Sequence, residues 1–152
     1  MKLRMSCALS LVALLATSLS AHIMVSPPQS KGGATQKYQM RVHNEGKVAT
    51  TAIELEIPEG VTVLDIAPPP TGSVTTEKAG ARITRITWQV AIAPTKYVAL
   101  PFTAKNPEVA TDLRWTVREH LEGGSIVEWS DRLGAQEKGS ATTITAAGPP
   151  VQ

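Results

Sequence analysis

From residue 22 onward, apolar side chains recur at alternate positions in several short runs, and nowhere with the sustained 3.6-residue period of an amphipathic helix. Alternation of this kind, rich in β-branched residues and broken by Gly and Pro, restricts the chain to strands that bury one face. Gln36–His43 sets Tyr38, Met40 and Val42 on one side. In Ala52–Ile57, Ile53, Leu55 and Ile57 alternate with Glu54 and Glu56, and Pro58-Glu59-Gly60 marks a turn. Val61–Ala67 follows and ends at Pro68-Pro69-Pro70. Proline cannot donate to a ladder, so this stretch belongs in a loop or at a sheet rim.

The longest run is Arg82–Ile92, with Ile86, Trp88, Val90 and Ile92 in phase and Ile83 out of phase. A bulge near Thr84 reconciles the two parities. Val98–Ala104 continues the pattern, and Leu113–His120 directs Leu113, Trp115 and Val117 inward and Arg114, Thr116 and Arg118 outward. Ser125–Trp129 follows the Gly123-Gly124 turn, and Ala141–Thr145 makes a last strand. The expectation is an all-β, immunoglobulin-like antiparallel β-sandwich of seven to nine short strands. It forms one domain over residues 22–146, with residues 147–152 as a flexible C-terminal tail.

Residues 1–21 have a different character: a basic start at Lys2 and Arg4, an apolar run from Ala8 to Ala16, then small and polar residues up to Ala21. This is the layout of a cleaved secretory signal peptide, and its apolar run is too short to span a bilayer as a helix. Cleavage after Ser20 and cleavage after Ala21 both satisfy the small-residue preference at one or two positions. The expected location is periplasmic or otherwise extracytoplasmic, with no membrane span after cleavage.

Removing the signal changes the chemistry that is available. The full chain of 152 residues carries 15 Lys and Arg against 13 Asp and Glu. Lys2 and Arg4 leave with the signal, so the mature chain is neutral, and it has no basic cluster with which to hold a nucleic acid. The one cysteine, Cys7, leaves too, which removes disulfides and thiolate ligands. No nucleophile elbow, phosphate loop or His-Glu-x-x-His motif is present, so no enzymatic activity is expected.

Cleavage after Ala21 makes His22 the first residue. An N-terminal histidine offers its α-amine and ring Nδ1 to one ion as a six-membered chelate. Nitrogen donors of this kind, completed by an oxygen, suit Cu(II) best among the common divalent ions. Both nitrogens must be unprotonated to bind, so affinity falls as pH drops through the amine and imidazole ranges.

The motifs after His22 carry more information than the histidine alone. They are Ile23-Met-Val-Ser-Pro-Pro-Gln29, Gly33, Tyr38, Asn44–Thr51, Ile57-Pro58-Glu59-Gly60-Val61, Ile86-Thr87-Trp88, Phe102–Pro107 and Gly123-Gly124-Ser125-Ile126-Val127-Glu128-Trp129. In this order, across roughly residues 22–130, they resemble the YcnI-like copper-binding domain family. The resemblance implies an exported β-sandwich that holds one Cu(II) in a mono-histidine brace and handles copper. It implies that His22 supplies amine and Nδ1, that Trp129 stands beside the metal, and that position 29 supplies a ligand. The family commonly has Glu there and this chain has Gln29, which brings a carbonyl oxygen but no negative charge, so Cu(II) binding weaker than in a Glu-bearing relative is expected.

Trp88 and Trp115 lie in phase with aliphatic residues and read as core, as would Trp129 without the resemblance. His43 and His120 are candidate extra ligands that the resemblance does not support. Glu54, Glu56 and Glu128 face away from their apolar neighbours and read as solvated strand residues. The expected function is a copper chaperone or store in copper homeostasis, its partners being the copper ion and a membrane copper transporter or another periplasmic copper protein. The alternatives are a structural or protein-interaction sandwich without metal, and a histidine-brace copper oxidase or monooxygenase, which needs a second histidine.

Overall fold

The computed structural model describes residues 22–148; the expected signal peptide and the last four residues lie outside the described residues. Among the described residues twelve strands run in chain order: β1 (His22–Ser26), β2 (Gln29–Lys31), β3 (Thr35–His43), β4 (Thr50–Glu56), β5 (Thr62–Ile66), β6 (Ser73–Ala79), β7 (Arg82–Ile92), β8 (Tyr97–Lys105), β9 (Thr111–Arg114), β10 (Thr116–Leu121), β11 (Ile126–Trp129) and β12 (Ala141–Thr145). One sheet has the order β1-β3-β8-β5, a second the order β11-β10-β4-β7-β6, and a short third sheet, β2-β12-β9, completes the fold.

The alternation expected of each strand becomes the inner face of a sandwich. Tyr38, Met40, Val42, Leu100 and Phe102 from the first sheet are buried with Ile53, Leu55, Ile86, Trp88 and Val117 from the second. Phe102 lies at the centre of an aromatic group, its ring 5.4 Å from Tyr38, 5.9 Å from Trp115 and 6.5 Å from Trp88. Such contacts add about 0.5–1.5 kcal/mol each to the burial of the rings. Pro68–Pro70 lies in the loop between β5 and β6, and the bulge in β7 falls at Thr84. Glu77 pairs with Arg85 and Lys78 with Ile83, which leaves Thr84 without a partner on β6. The Thr84 carbonyl is used instead by Ile57, whose N–H donates to it at 2.9 Å.

The structure differs from the sequence expectation in three respects. There are more than nine strands, because β1, β2 and the polar edge strand β6 add to those read from the pattern. The pairing is not wholly antiparallel, since β2 lies parallel to β12. Leu113–His120 is also two strands in different sheets, β9 beside β12 and β10 beside β4. The chain changes sheet at Trp115, whose N–H donates to Ser140 O and whose Nε1 donates to Thr142 Oγ1, both at 3.0 Å. Alternation stops there, so Trp115, Thr116 and Val117 are all buried and Thr116 does not face outward as expected.

A similar change of sheet shapes the start of the domain. β1 pairs with β3, then the chain moves along β12: Val25 N donates to Ser140 Oγ, Pro27 O accepts from Thr142 Oγ1, Pro28 O accepts from Thr143 N, and Gln29 pairs with Thr143. Since β5 packs against β7, the β1 edge of the first sheet lies on the same side of the sandwich as the β11 edge of the second.

Candidate metal centre

His22 opens β1, an edge strand. Ile23 and Val25 turn into the core, so His22 and Met24 face outward and are exposed. Among the described residues no side chain bonds to the His22 ring. Its direct cross-strand partner is His43 on β3, and the next residue in that row is Tyr97 on β8. These residues, with Met24, Arg41 and Val42, line an open groove of about 330 Å³. His43 Nδ1 lies 3.3 Å from Glu45 Oε1, and the Arg41 guanidinium lies over the Tyr97 ring, 5.5 Å from its centroid.

The other expected site residues are placed elsewhere. Gln29 is exposed on β2, in a different sheet from β1. Val25 follows His22 by three positions, and the neighbours of Val25 and Gln29, Ser140 just before β12 and Thr143 within it, are likewise three positions apart. At about 3.3 Å per residue, Gln29 lies on the order of 15–20 Å from His22. The structure does not bring it to the histidine, because after β1 the chain passes on along β12, and Ser30 bonds Gln36 at the end of β3 remote from His43.

Trp129 ends β11 opposite Val117, and a bridge joins it to Glu137. Its indole is buried, and its Nε1 has no hydrogen-bond partner, a state shared by the core residue Trp88. The segment that bridges Trp129 at Glu137 meets β1 three residues later, where Ser140 Oγ accepts from Val25 N. Trp129 and β1 thus belong to the same edge of the sandwich, with the indole directed inward and the His22 side chain outward.

Glu54, Glu56 and Glu128 point away from the core of the second sheet, as the alternation implied, and each carboxylate lies against an arginine or histidine side chain. Arg118 Nε lies 3.2 Å from Glu128, Arg132 donates to Glu56 at 2.6 Å, and His120 Nε2 lies 3.1 Å from Glu54. The Arg132 hydrogen bond holds the Glu56 carboxyl below the usual carboxylate range despite partial burial, with help from the charges of Arg132, Arg118 and Arg85. This network occupies the outer face of one sheet while His22 and His43 occupy the outer face of the other. Neither His120 nor these glutamates can therefore share an ion with His22. Among the described residues no group of three or more His, Cys, Asp or Glu side chains converges on one point.

A sequence profile described as a domain of unknown function, DUF1775, matches residues 22–147. The chain belongs to the DUF1775 family. A curated relative, the copper-binding protein CutI of Bacillus subtilis (strain 168), is 33% identical over 131 residues, which cover 84% of this DUF1775 chain and 64% of CutI. The chain thus spans a little less than two thirds of the length of that relative. These findings bear out the YcnI-like resemblance carried by the order of the sequence motifs.

Among solved structures, a protein from Nocardia farcinica with an immunoglobulin-like fold superposes on the DUF1775 domain with a TM-score of 0.68 at 18% identity, covering 84% of this chain and 99% of that one. A non-cellulosomal cohesin from Archaeoglobus fulgidus gives 0.50 at 12% identity, covering 83% and 91%. At such identities the likeness concerns the fold, which is an immunoglobulin-like β-sandwich. The missed feature of the site is the pairing of His22 with His43. Both histidines are visible in the sequence, but alternation gives only the face of a residue and not its partner on the neighbouring strand.

Proposed function

We propose that this protein is exported, loses residues 1–21, and binds Cu(II) at His22 as a chaperone or store in copper handling. The observation that carries the reading is the 33% identity to copper-binding protein CutI over most of this chain. The donor chemistry at His22 is compatible with it. The residue is exposed at a strand edge, and among the described residues nothing competes for its ring. Cleavage after Ala21 adds the α-amine, so that amine and Nδ1 close a chelate from a single residue. Both are borderline nitrogen donors of the type Cu(II) prefers.

Copper is cargo in this reading, and no catalytic step is assigned to it. The acceptor or donor of that cargo is a membrane copper transporter or another extracytoplasmic copper protein. Gln29 has no part in the proposed site because of its distance from His22. Trp129 forms part of the adjoining edge, where its backbone bridges Glu137 in the segment that leads to Ser140 and β1.

The test compares protein that begins at His22 with protein carrying a Gly-Ser extension long enough to take the new amine away from the ring. The first should give a Cu(II) electron paramagnetic resonance spectrum with nitrogen couplings and bind one ion. The second should bind far more weakly and lose the amine coupling. Equal affinity and identical spectra in the two forms would refute the brace.

A further inference from the structure

We propose that His43 is a second imidazole donor to copper held at His22, so that the site is a two-histidine site on the outer face of the β1-β3-β8-β5 sheet. The inference rests on the copper reading of His22 and extends it to a residue that the N-terminal brace does not require. Its basis is register: His22 and His43 are direct partners in the antiparallel pair of β1 and β3. Directly opposed residues point to the same face with their Cβ atoms about 4.5–5.5 Å apart. Rings that project side by side from that spacing can each place a nitrogen about 2 Å from a single ion.

Two further features support a ligand role for His43. Its Nδ1 lies 3.3 Å from Glu45 Oε1, which leaves Nε2 as the nitrogen free to bind. A carboxylate on the far nitrogen is the common support of a metal-bound histidine, because it fixes the tautomer and makes the donor nitrogen more basic. In addition, the pair opens into the groove lined by Met24, Arg41 and Tyr97, and therefore has room for an ion and its remaining ligands. Arg41 is the one charge in the lining that opposes a dication. Its position over the Tyr97 ring gives the guanidinium an alternative partner.

Because the two imidazoles come from a preformed strand pair, part of the site exists before the signal is removed. Cleavage then adds the amine, completing a three-nitrogen set of two imidazoles and one amine. A single-histidine brace has no such dependence on β3.

The experiment uses protein beginning at His22, with Cu(II) as the probe. Pulsed electron spin-echo spectroscopy counts coupled imidazoles, and a chelator competition measures affinity. Wild-type protein should show two imidazoles. His43→Ala should show one, with affinity lower by at least ~10-fold, since even outer-shell partners of metal ligands matter by 10–100-fold. Glu45→Gln should retain both imidazoles with a smaller loss of affinity. Thermal unfolding of the metal-free variants should be unchanged, because His43 is on the surface. If His43→Ala keeps the wild-type spectrum and affinity while His22→Ala loses both, the single-histidine brace stands and the role of His43 is refuted. If wild-type protein binds no Cu(II), the copper reading falls and this inference falls with it.

Discussion

His22 and His43 are direct partners across β1 and β3, on the solvent-facing side of the four-stranded sheet. The pairing has two structural consequences. It places the N-terminal candidate donor on the face of the sandwich opposite the Glu54, Glu56, Arg118, His120 and Glu128 network, and it starts a segment whose continuation along β12 carries Gln29 away from the histidine.

The resemblance implies a ligand at Gln29, and with it a higher affinity when that residue is changed to Glu. Its separation from His22 predicts otherwise. Gln29→Ala and Gln29→Glu should each alter the Cu(II) dissociation constant by less than about twofold, as expected of a surface change with only long-range, screened electrostatics. A tenfold change in a competition titration would mean that residues 22–29 fold back in the loaded protein.

The turn from β2 into β3 depends on Asn106. Tyr38 donates its phenolic O–H to Asn106 Oδ1 at 2.6 Å, and Asn106 Nδ2 donates to Ser30 Oγ and Lys31 O, each at 2.8 Å. Asn106→Ala leaves the buried Tyr38 hydroxyl without its partner, while the Lys31 carbonyl keeps the Ala34 N–H. At about 1–3 kcal/mol for one unsatisfied buried group, the variant should lose roughly 1–3 kcal/mol of stability in urea unfolding. A loss below 1 kcal/mol would show that water replaces Asn106.

Burial pushes the Tyr38 hydroxyl up to about 12, opposed by its hydrogen bond to Asn106. The folded state therefore retains this proton more tightly than the unfolded chain does. The resulting stability is complete below the ordinary tyrosine value of 10.0 and is lost as pH rises through about 12. In Tyr97→Phe protein, where Tyr38 is the remaining tyrosine, the ultraviolet phenolate band should rise near pH 12 and coincide with alkaline unfolding. Titration at pH 10 in folded protein would contradict the burial argument.

Glu56 gives the opposite sign. Its carboxyl is held below its ordinary value of 4.5, first by the Arg132 hydrogen bond. Its contribution to stability is present above 4.5 and is lost as pH falls through the lower folded value. Glu56→Gln should therefore lower stability at neutral pH and flatten the acid limb below pH 4.5, while Arg132→Lys should produce part of both effects. Parallel acid limbs in wild type and Glu56→Gln would mean that solvent screens the pair.

Much of the fold is legible in side-chain alternation. Arg82–Ile92 and Ala141–Thr145 coincide with β7 and β12, and the parity conflict at Ile83 locates the bulge at Thr84. Two kinds of feature are not legible. β6 is a polar edge strand in which Val74 is the single half-buried aliphatic, so it carries no apolar signal. At Trp115 the chain changes sheet without a Gly or Pro to mark the break.

The site is legible in residue type but not in partnership. His22 stands out through its position after the expected cleavage site, and Trp129 through its motif. Whether a residue seven positions along is near or far depends on the path of β1 and β2, and that path is set by backbone contacts with a strand more than a hundred residues later. The partner of His22 is likewise chosen by register between β1 and β3, which alternation alone does not specify.

In the proposed function, His22 carries the copper site. Its most direct test is a chelator-competition titration of Cu(II) on protein beginning at His22 and on its His22→Ala variant. Removing the ring of a chelating residue should matter more than removing an outer-shell partner, so the first protein should bind one ion and the variant should lose more than ~100-fold in affinity. Equal affinity in the two proteins would contradict it.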